Sequence, residues 1–108
     1  MDNKETNNKS TTAFLLELES QRKIPVLVPT CKLGRDDEND VVMKDDMSIS
    51  RFHTVISHED GKYVVTDNES RHGTFLNGNE VTEPMPIGDG DTLKIGNTMF
   101  WFVIETEH

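Results

Sequence analysis

Three polar, glycine-punctuated segments hold most of the side chains that could do chemistry: LGRDDEND (33 to 40), SISRFH (48 to 53) and NESRHGTFLNG (68 to 78). The chain has four arginines, Arg22, Arg35, Arg51 and Arg71, and the last three each follow a Gly or Ser in a turn-like stretch. In a protein of formal charge −9, arginines spaced this way suit convergence on one small anion, because the planar guanidinium fork matches an oxyanion. Gly34 is expected to let the chain turn tightly, so that Arg35 projects from a strand end into a loop cluster. Ser50 offers a hydroxyl and a backbone N–H within a turn. Ser70, Arg71 and His72 lead into Gly73, where a positive φ is expected.

These donors describe binding rather than turnover. Ser50 with His53 or His58 and one of several Asp residues can be written as a hydrolase triad, but no nucleophile elbow or oxyanion element accompanies them. The acidic run Asp36, Asp37, Glu38 and Asp40 invites a calcium site, yet it lacks the glycine and closing glutamate of an EF-hand loop and reads as a solvated connection. No enzyme activity, metal or cofactor is expected.

The elements that must position these loops are strands. From Ala13 onward, short apolar runs alternate with turn chemistry every eight to twelve residues or so, the spacing of a sandwich or barrel. The candidate strands lie at 13 to 19, 24 to 28, 32 to 35, 40 to 43, 53 to 59, 62 to 67, 74 to 82 (two strands across a turn), 92 to 96 and 98 to 105. Asp60-Gly61 and Asn77-Gly78 suit tight hairpins, and Pro25 marks its run as an edge strand or bulge. No window sustains a helical period. The densest apolar cluster, Met99 to Ile104, reads as a central strand. The expected fold is all-β: a two-sheet β-sandwich of roughly nine to eleven short, mostly antiparallel strands, with binding loops at one end.

Four ordered elements then carry a specific resemblance: Gly34 and Arg35; Ser50, Arg51 and His53; Ser70, Gly73, Thr74, Asn77 and Gly78; and Gly90, Asp91, Leu93, Ile95 and Gly96. In this order and at these separations they resemble the forkhead-associated (FHA) family, over nearly the whole chain from about Ala13 to Glu105. The resemblance implies a non-catalytic module that recognises phosphothreonine in partner proteins. It implies Arg35 and Ser50 as phosphate contacts, with Arg51 and Arg71 beside them, and His72 against the peptide backbone. Gly34, His53, Gly73, Thr74 and Asn77 are implied as loop scaffold.

Many family members carry Asn where His72 stands. A histidine can reproduce an amide's paired donor and acceptor only as a neutral imidazole in the right tautomer, so this clamp is expected to be pH-sensitive. The variable loops at 36 to 39, 45 to 48 and 79 to 85 are expected to set the flanking preference, and their acidity disfavours strongly acidic neighbours. A phosphate-independent structural or oligomerising module is the alternative.

Residues 1 to 12 are polar and Asn-rich, and are expected to form a disordered tail, with residues 13 to 105 as the domain and 106 to 108 as a short C-terminal tail. Thr6, Thr11 and Thr12 make this leader a candidate ligand for the protein's own site once phosphorylated. The negative charge argues against nucleic-acid binding. No run approaches the roughly 20 apolar residues of a membrane span, and no secretion-signal pattern opens the chain, so a cytoplasmic location without membrane partners is expected. A lone Cys31 precludes an internal disulfide.

Overall fold

The computed structural model describes residues 10–107. They form eleven strands: β1 (Ser10–Glu17), β2 (Lys23–Pro25), β3 (Thr30–Gly34), β4 (Val41–Val42), β5 (Thr54–Glu59), β6 (Lys62–Asp67), β7 (Thr74–Leu76), β8 (Asn79–Glu80), β9 (Met85–Ile87), β10 (Thr92–Ile95) and β11 (Thr98–Glu107). No helix occurs among the described residues, and so none there is long and apolar enough to cross a membrane. The strands form a six-stranded sheet in the order β2-β1-β11-β10-β7-β8 and a five-stranded sheet in the order β4-β3-β5-β6-β9. Every pairing is antiparallel except β3 with β4.

The two-residue side-chain period builds the sandwich. On β11, Phe100 and Phe102 are fully buried while Met99 and Trp101 face outward. On β3, Cys31 and Leu33 turn inward while Thr30 and Lys32 are exposed. With Leu15, Ile56, Val65, Leu93 and Ile95, these inward residues fill one core between the sheets, and each large buried side chain contributes about 1.5–3 kcal/mol. β11 lies between β1 and β10, which is the central place its apolar density predicts.

Several boundaries differ from the sequence reading. β1 starts at Ser10, and its ladder runs Ser10↔Glu107, Thr11↔Thr106 and Thr12↔Glu105. Residues expected to be tail at both ends are therefore strand, held by a long antiparallel pairing whose side chains need not be apolar. The expected tail threonine Thr6 lies outside the described residues. β2 stops at Pro25 and pairs only with β1, as an edge strand. β9 falls partly in a stretch read as a variable loop. Its Pro86 cannot donate to a ladder, and the strand survives because it sits at a sheet edge with β6 as its one partner.

Candidate functional site

The connections at the two ends of the sandwich are of different kinds. At one end, Asp60-Gly61 (φ 55° and 76°) and Asn77-Gly78 (φ 51° and 84°) close two hairpins with paired positive φ values, the signature of type I′ turns. At the other end one tight turn, Gly96-Asn97 between β10 and β11 (Gly96 φ 61°), lies beside the long connections, residues 35–40, 43–53 and 68–73. These surround an open groove of about 440 Å³ whose walls include Arg35, Ser50, Arg51, Arg71 and His72, with Met47 and Phe52.

Arg35 leaves the end of β3 with its backbone N–H donating to Ser50 O (3.1 Å) and its Nε donating to Ile49 O. Asp36 N–H donates to Arg51 O (3.1 Å), so the two loops are laced main chain to main chain. This lacing explains Gly34 differently from the expected tight turn. Its φ is not positive, but a Cβ there would run into the Arg51 carbonyl and lie 2.8 Å from Asn39 Nδ2. Glycine is needed because two backbones approach too closely for a side chain.

His53, fully buried, braces the groove from below. Its Nδ1 accepts the Ser50 N–H (2.9 Å), so its Nε2 carries the proton donated to Gly73 O (2.9 Å). Both ring nitrogens are thereby committed to backbone groups, and neither is placed to take the Ser50 hydroxyl proton. His58 stacks near Tyr63 at a ring separation of 4.3 Å, five residues along β5 from His53 and thus about 16 Å away. The triad written from sequence does not assemble. Ser50 Oγ instead accepts the Arg71 N–H (3.0 Å), which leaves its own proton free for an acceptor in the groove.

The loop that carries Arg71 and His72 hangs on Asp67, a residue the sequence reading passed over. Asp67 Oδ1 accepts from Ser70 Oγ and Thr74 Oγ1 (both 2.6 Å), and Oδ2 accepts from Ser70 N–H (3.0 Å). Ser70 Oγ in turn accepts the Gly73 N–H (2.8 Å), and Gly73 itself adopts φ 89°. Because Thr74 gives its proton to the carboxylate, Thr54 is the donor of the buried Thr54–Thr74 contact (2.9 Å). Burial alone raises the Asp67 carboxyl, but the bonds from Ser70 and Thr74, with His53 nearby, outweigh it and hold the group below its usual range.

A second carboxylate pins the opposite wall. Asp46 accepts from Ser48 N–H (3.0 Å) and Ser48 Oγ at Oδ1, and from Asn97 N–H (2.8 Å) and Thr98 Oγ1 (3.0 Å) at Oδ2. Burial again works against ionisation, and these four donors more than reverse it. Asn39 is the third brace: its Nδ2 donates to Asp36 O (2.9 Å) and Arg51 O (2.7 Å). The signal for both aspartates was present as Asp-x-Ser and Asp-x-x-Ser at strand ends, the pattern of side chains that cap turns.

Other sequence-derived candidates fall elsewhere. Asn77 sits at the far end of β7, where its side chain bonds Asp91 and Thr92 and holds the opposite corner rather than the groove. The acidic run is dispersed: Asp37 pairs with Lys44 (2.6 Å), Asp36 caps Glu38 N–H, and Asp40 accepts Lys32 N–H. Among the described residues, no three metal-ligating side chains converge.

The chain is thus a two-sheet all-β sandwich with a loop-end groove lined by guanidinium and hydroxyl groups that can donate to an anion. The chain belongs to the FHA domain family, whose pattern matches residues 31–96. It is 29% identical over 98 residues to the transcriptional regulatory protein EmbR of Mycobacterium tuberculosis, covering 91% of this chain and 25% of EmbR. It is 33% identical over 75 residues to the oxoglutarate dehydrogenase inhibitor of Corynebacterium diphtheriae, covering 69% of this chain and 51% of that protein. The chain thus spans between a quarter and a half of these relatives' length. Mycobacterium tuberculosis EmbR in complex with a low-affinity phosphopeptide aligns at a TM-score of 0.81 (29% identity, 85% of this chain, 24% of that one). The MEK1 FHA domain in complex with the HOP1 pThr318 peptide aligns at 0.71 (29% identity, 86% of this chain, 96% of that one).

Proposed function

We propose that this domain is a non-catalytic reader of phosphothreonine in partner proteins, working in the cytoplasm. One observation carries the reading. Arg35, Arg51 and Arg71 line a single groove with Ser50, and the ion pairs found among the described residues engage Arg22, Lys23 and Lys44 but none of these three. In a chain of charge −9, arginines left without carboxylate partners in one concavity mark a site kept for an external dianion. Arg35 and Ser50 are the principal phosphate contacts. Arg51 and Arg71 add charge, and His72 faces the peptide main chain. The phosphopeptide complexes of EmbR and MEK1 support the choice of ligand.

The test is titration of a degenerate phosphothreonine peptide library and its unphosphorylated counterpart against wild type and Arg35→Ala. The phosphorylated library binds more tightly, and Arg35→Ala removes about 2–3 kcal/mol of that binding. Equal affinity for the two libraries overturns the reading. Unchanged binding by the variant overturns the site assignment. A second, phosphate-independent reading is favoured by the outer face of the six-stranded sheet, where Met99 and Trp101 are exposed; it is the outcome indicated by binding that ignores phosphate and is lost in Trp101→Ser.

A further inference from the structure

We infer that the groove reads an apolar side chain near the phosphothreonine through Met47 and Phe52, an inference that rests on the phosphate-reading function proposed above. Six large apolar residues are exposed among those described, and Met47, at 77%, is the most exposed of them. Phe52 is 42% exposed, and both line the wall that also carries the arginines. A site built only to hold phosphate has no use for either.

Their backbones are fixed, so their outward direction is imposed rather than incidental. Asp46 caps the turn at both Ser48 N–H and Ser48 Oγ, and its own carbonyl accepts the Ile49 N–H (3.1 Å). Ile49 is thereby buried in the core at 1% exposure, while Met47, at the corner of the same turn, projects out. Phe52 lies between two tethered neighbours: the Arg51 carbonyl accepts from Asn39 and Asp36, and His53 N–H donates to Leu33 O. Its own carbonyl accepts from Asn68 Nδ2 (3.2 Å). The two apolar side chains flank the 48–51 segment whose Ser50 and Arg51 face the anion. They present apolar area on a tethered backbone, so that binding a complementary side chain orders these two side chains but not the loop.

The ligand class is therefore a phosphothreonine segment with Leu, Ile, Met or Phe within a few residues of the mark, in preference to Asp, Glu or Ser. The acidic loop 36–38 on the neighbouring connection works in the same direction against acidic neighbours.

The experiment measures Kd by fluorescence anisotropy for phosphothreonine peptides carrying Leu, Ala or Asp at one flanking position at a time. At one position or more, the Leu peptide binds roughly tenfold more tightly than the Ala peptide, and Asp is weakest. Met47→Ser and Phe52→Ser each shrink the Leu-to-Ala ratio toward one, whereas Trp101→Ser, on the outer sheet face, leaves the ratio as in wild type. Thermal unfolding of each variant confirms that the fold is intact. Phosphate-dependent binding with no apolar preference at any position overturns this inference and leaves the phosphate-reading function standing. An apolar preference that both groove variants retain also overturns it. Absence of phosphate-dependent binding removes the function and the inference together.

Discussion

The two poles of this sandwich solve the same problem, turning the chain back, by opposite means. The far pole does it locally: Asp60-Gly61 and Asn77-Gly78 reverse direction within two residues each through positive φ values, the second with added bonds between Asn77 and both Asp91 and Thr92. Apart from the tight Gly96-Asn97 turn, the groove pole uses long connections, fixed by local caps and by side chains distant in sequence. Asp46 reaches Asn97 and Thr98, His53 reaches Gly73, and Asn39 reaches Arg51. The difference shows where the free energy of a binding surface resides. Beyond Met43 and Ile49, which reach the core, these loops present mostly polar side chains, so polar bonds carry much of the work of holding them.

The largest break in this contrast comes from removing one pin at each pole. Asp67→Ala leaves the Ser70 N–H and two hydroxyls without their acceptor and is expected to cost about 3 kcal/mol in urea unfolding, since bonds to a charged, partly buried acceptor are the strong class. Asp91, which accepts from Gly88 N–H (2.8 Å) and Asn77 Nδ2 (3.1 Å), serves a corner already set by its turns, and Asp91→Ala is expected to cost about 1 kcal/mol. Phosphopeptide affinity separates them further: it falls in the Asp67 variant and holds in the Asp91 variant. Equal losses at the two poles would erase the distinction.

Gly34→Ala comes next, at about 2 kcal/mol, because the Arg51 carbonyl must move to admit a methyl group. The same methyl at Gly78 meets nothing within 4 Å, and its cost comes only from a φ of 84°. Gly34→Ala is therefore expected to weaken phosphopeptide binding by displacing Arg51. Gly78→Ala destabilises the hairpin and leaves the groove unaltered, which chemical-shift mapping of the bound peptide distinguishes.

Sequence legibility follows the same division. The far pole could be read directly, since Asp-Gly and Asn-Gly between alternating apolar runs specify a hairpin on their own. The central place of β11 was legible from its apolar density, though the unbroken apolar run gave no sign of which residues face in. The groove residues Arg35, Ser50 and Arg71 were singled out by type and order, and the structure brings them to one wall. What holds them was legible only as local turn-capping patterns, Asp46-x-Ser48 and Asp67-x-x-Ser70, and not as a frame for the groove. Asp67 looks like the polar end of a strand, Asn39 like one more residue in an acidic run, and Asp46 like part of a variable loop. Asp67 takes its partners from Ser70 and Thr74 nearby, but Asn39 and Asp46 have partners 12 and up to 52 positions away, which only the assembled fold brings into reach. Gly34 was noticed for the wrong reason, because a close approach of two backbones leaves no local trace.

Acid offers a smaller and graded test. Asp46 and Asp67 are both held below the usual carboxylate range by their donors, against the opposing pull of burial. A depressed folded-state pKa contributes stability that is complete above the unfolded value, about pH 4, and is lost as pH falls through the lower folded value. Stability from these two groups is therefore level near neutrality and declines below about pH 4, with protection of the groove-loop amides falling before that of the far-pole hairpins in hydrogen exchange. Asp67→Ala is expected to shallow the decline. An unchanged slope would mean that the groove pole is not held by its ionised pins.

The smallest expected effect concerns the protein as its own ligand, and it depends on which pole carries the chain terminus. Thr11 and Thr12 are paired with Thr106 and Glu105 in the β1–β11 ladder, so neither enters a groove unless that pairing is stripped away. Thr6 precedes Ser10 by four residues, a covalent reach of about 14 Å. Ser10 pairs with Glu107, whereas the groove wall abuts the opposite end of β11 at Thr98, about 30 Å along the strand. While the β1–β11 ladder stays paired, that reach is shorter than the span to the groove, so a phosphorylated Thr6 is expected to engage the groove of a second copy. Phosphorylation at Thr6 is accordingly expected to produce concentration-dependent association in sedimentation, abolished by Arg35→Ala. Groove-loop shifts that are independent of concentration, in a species that stays monomeric, would instead show that the strand pair opens to let the tail fold back.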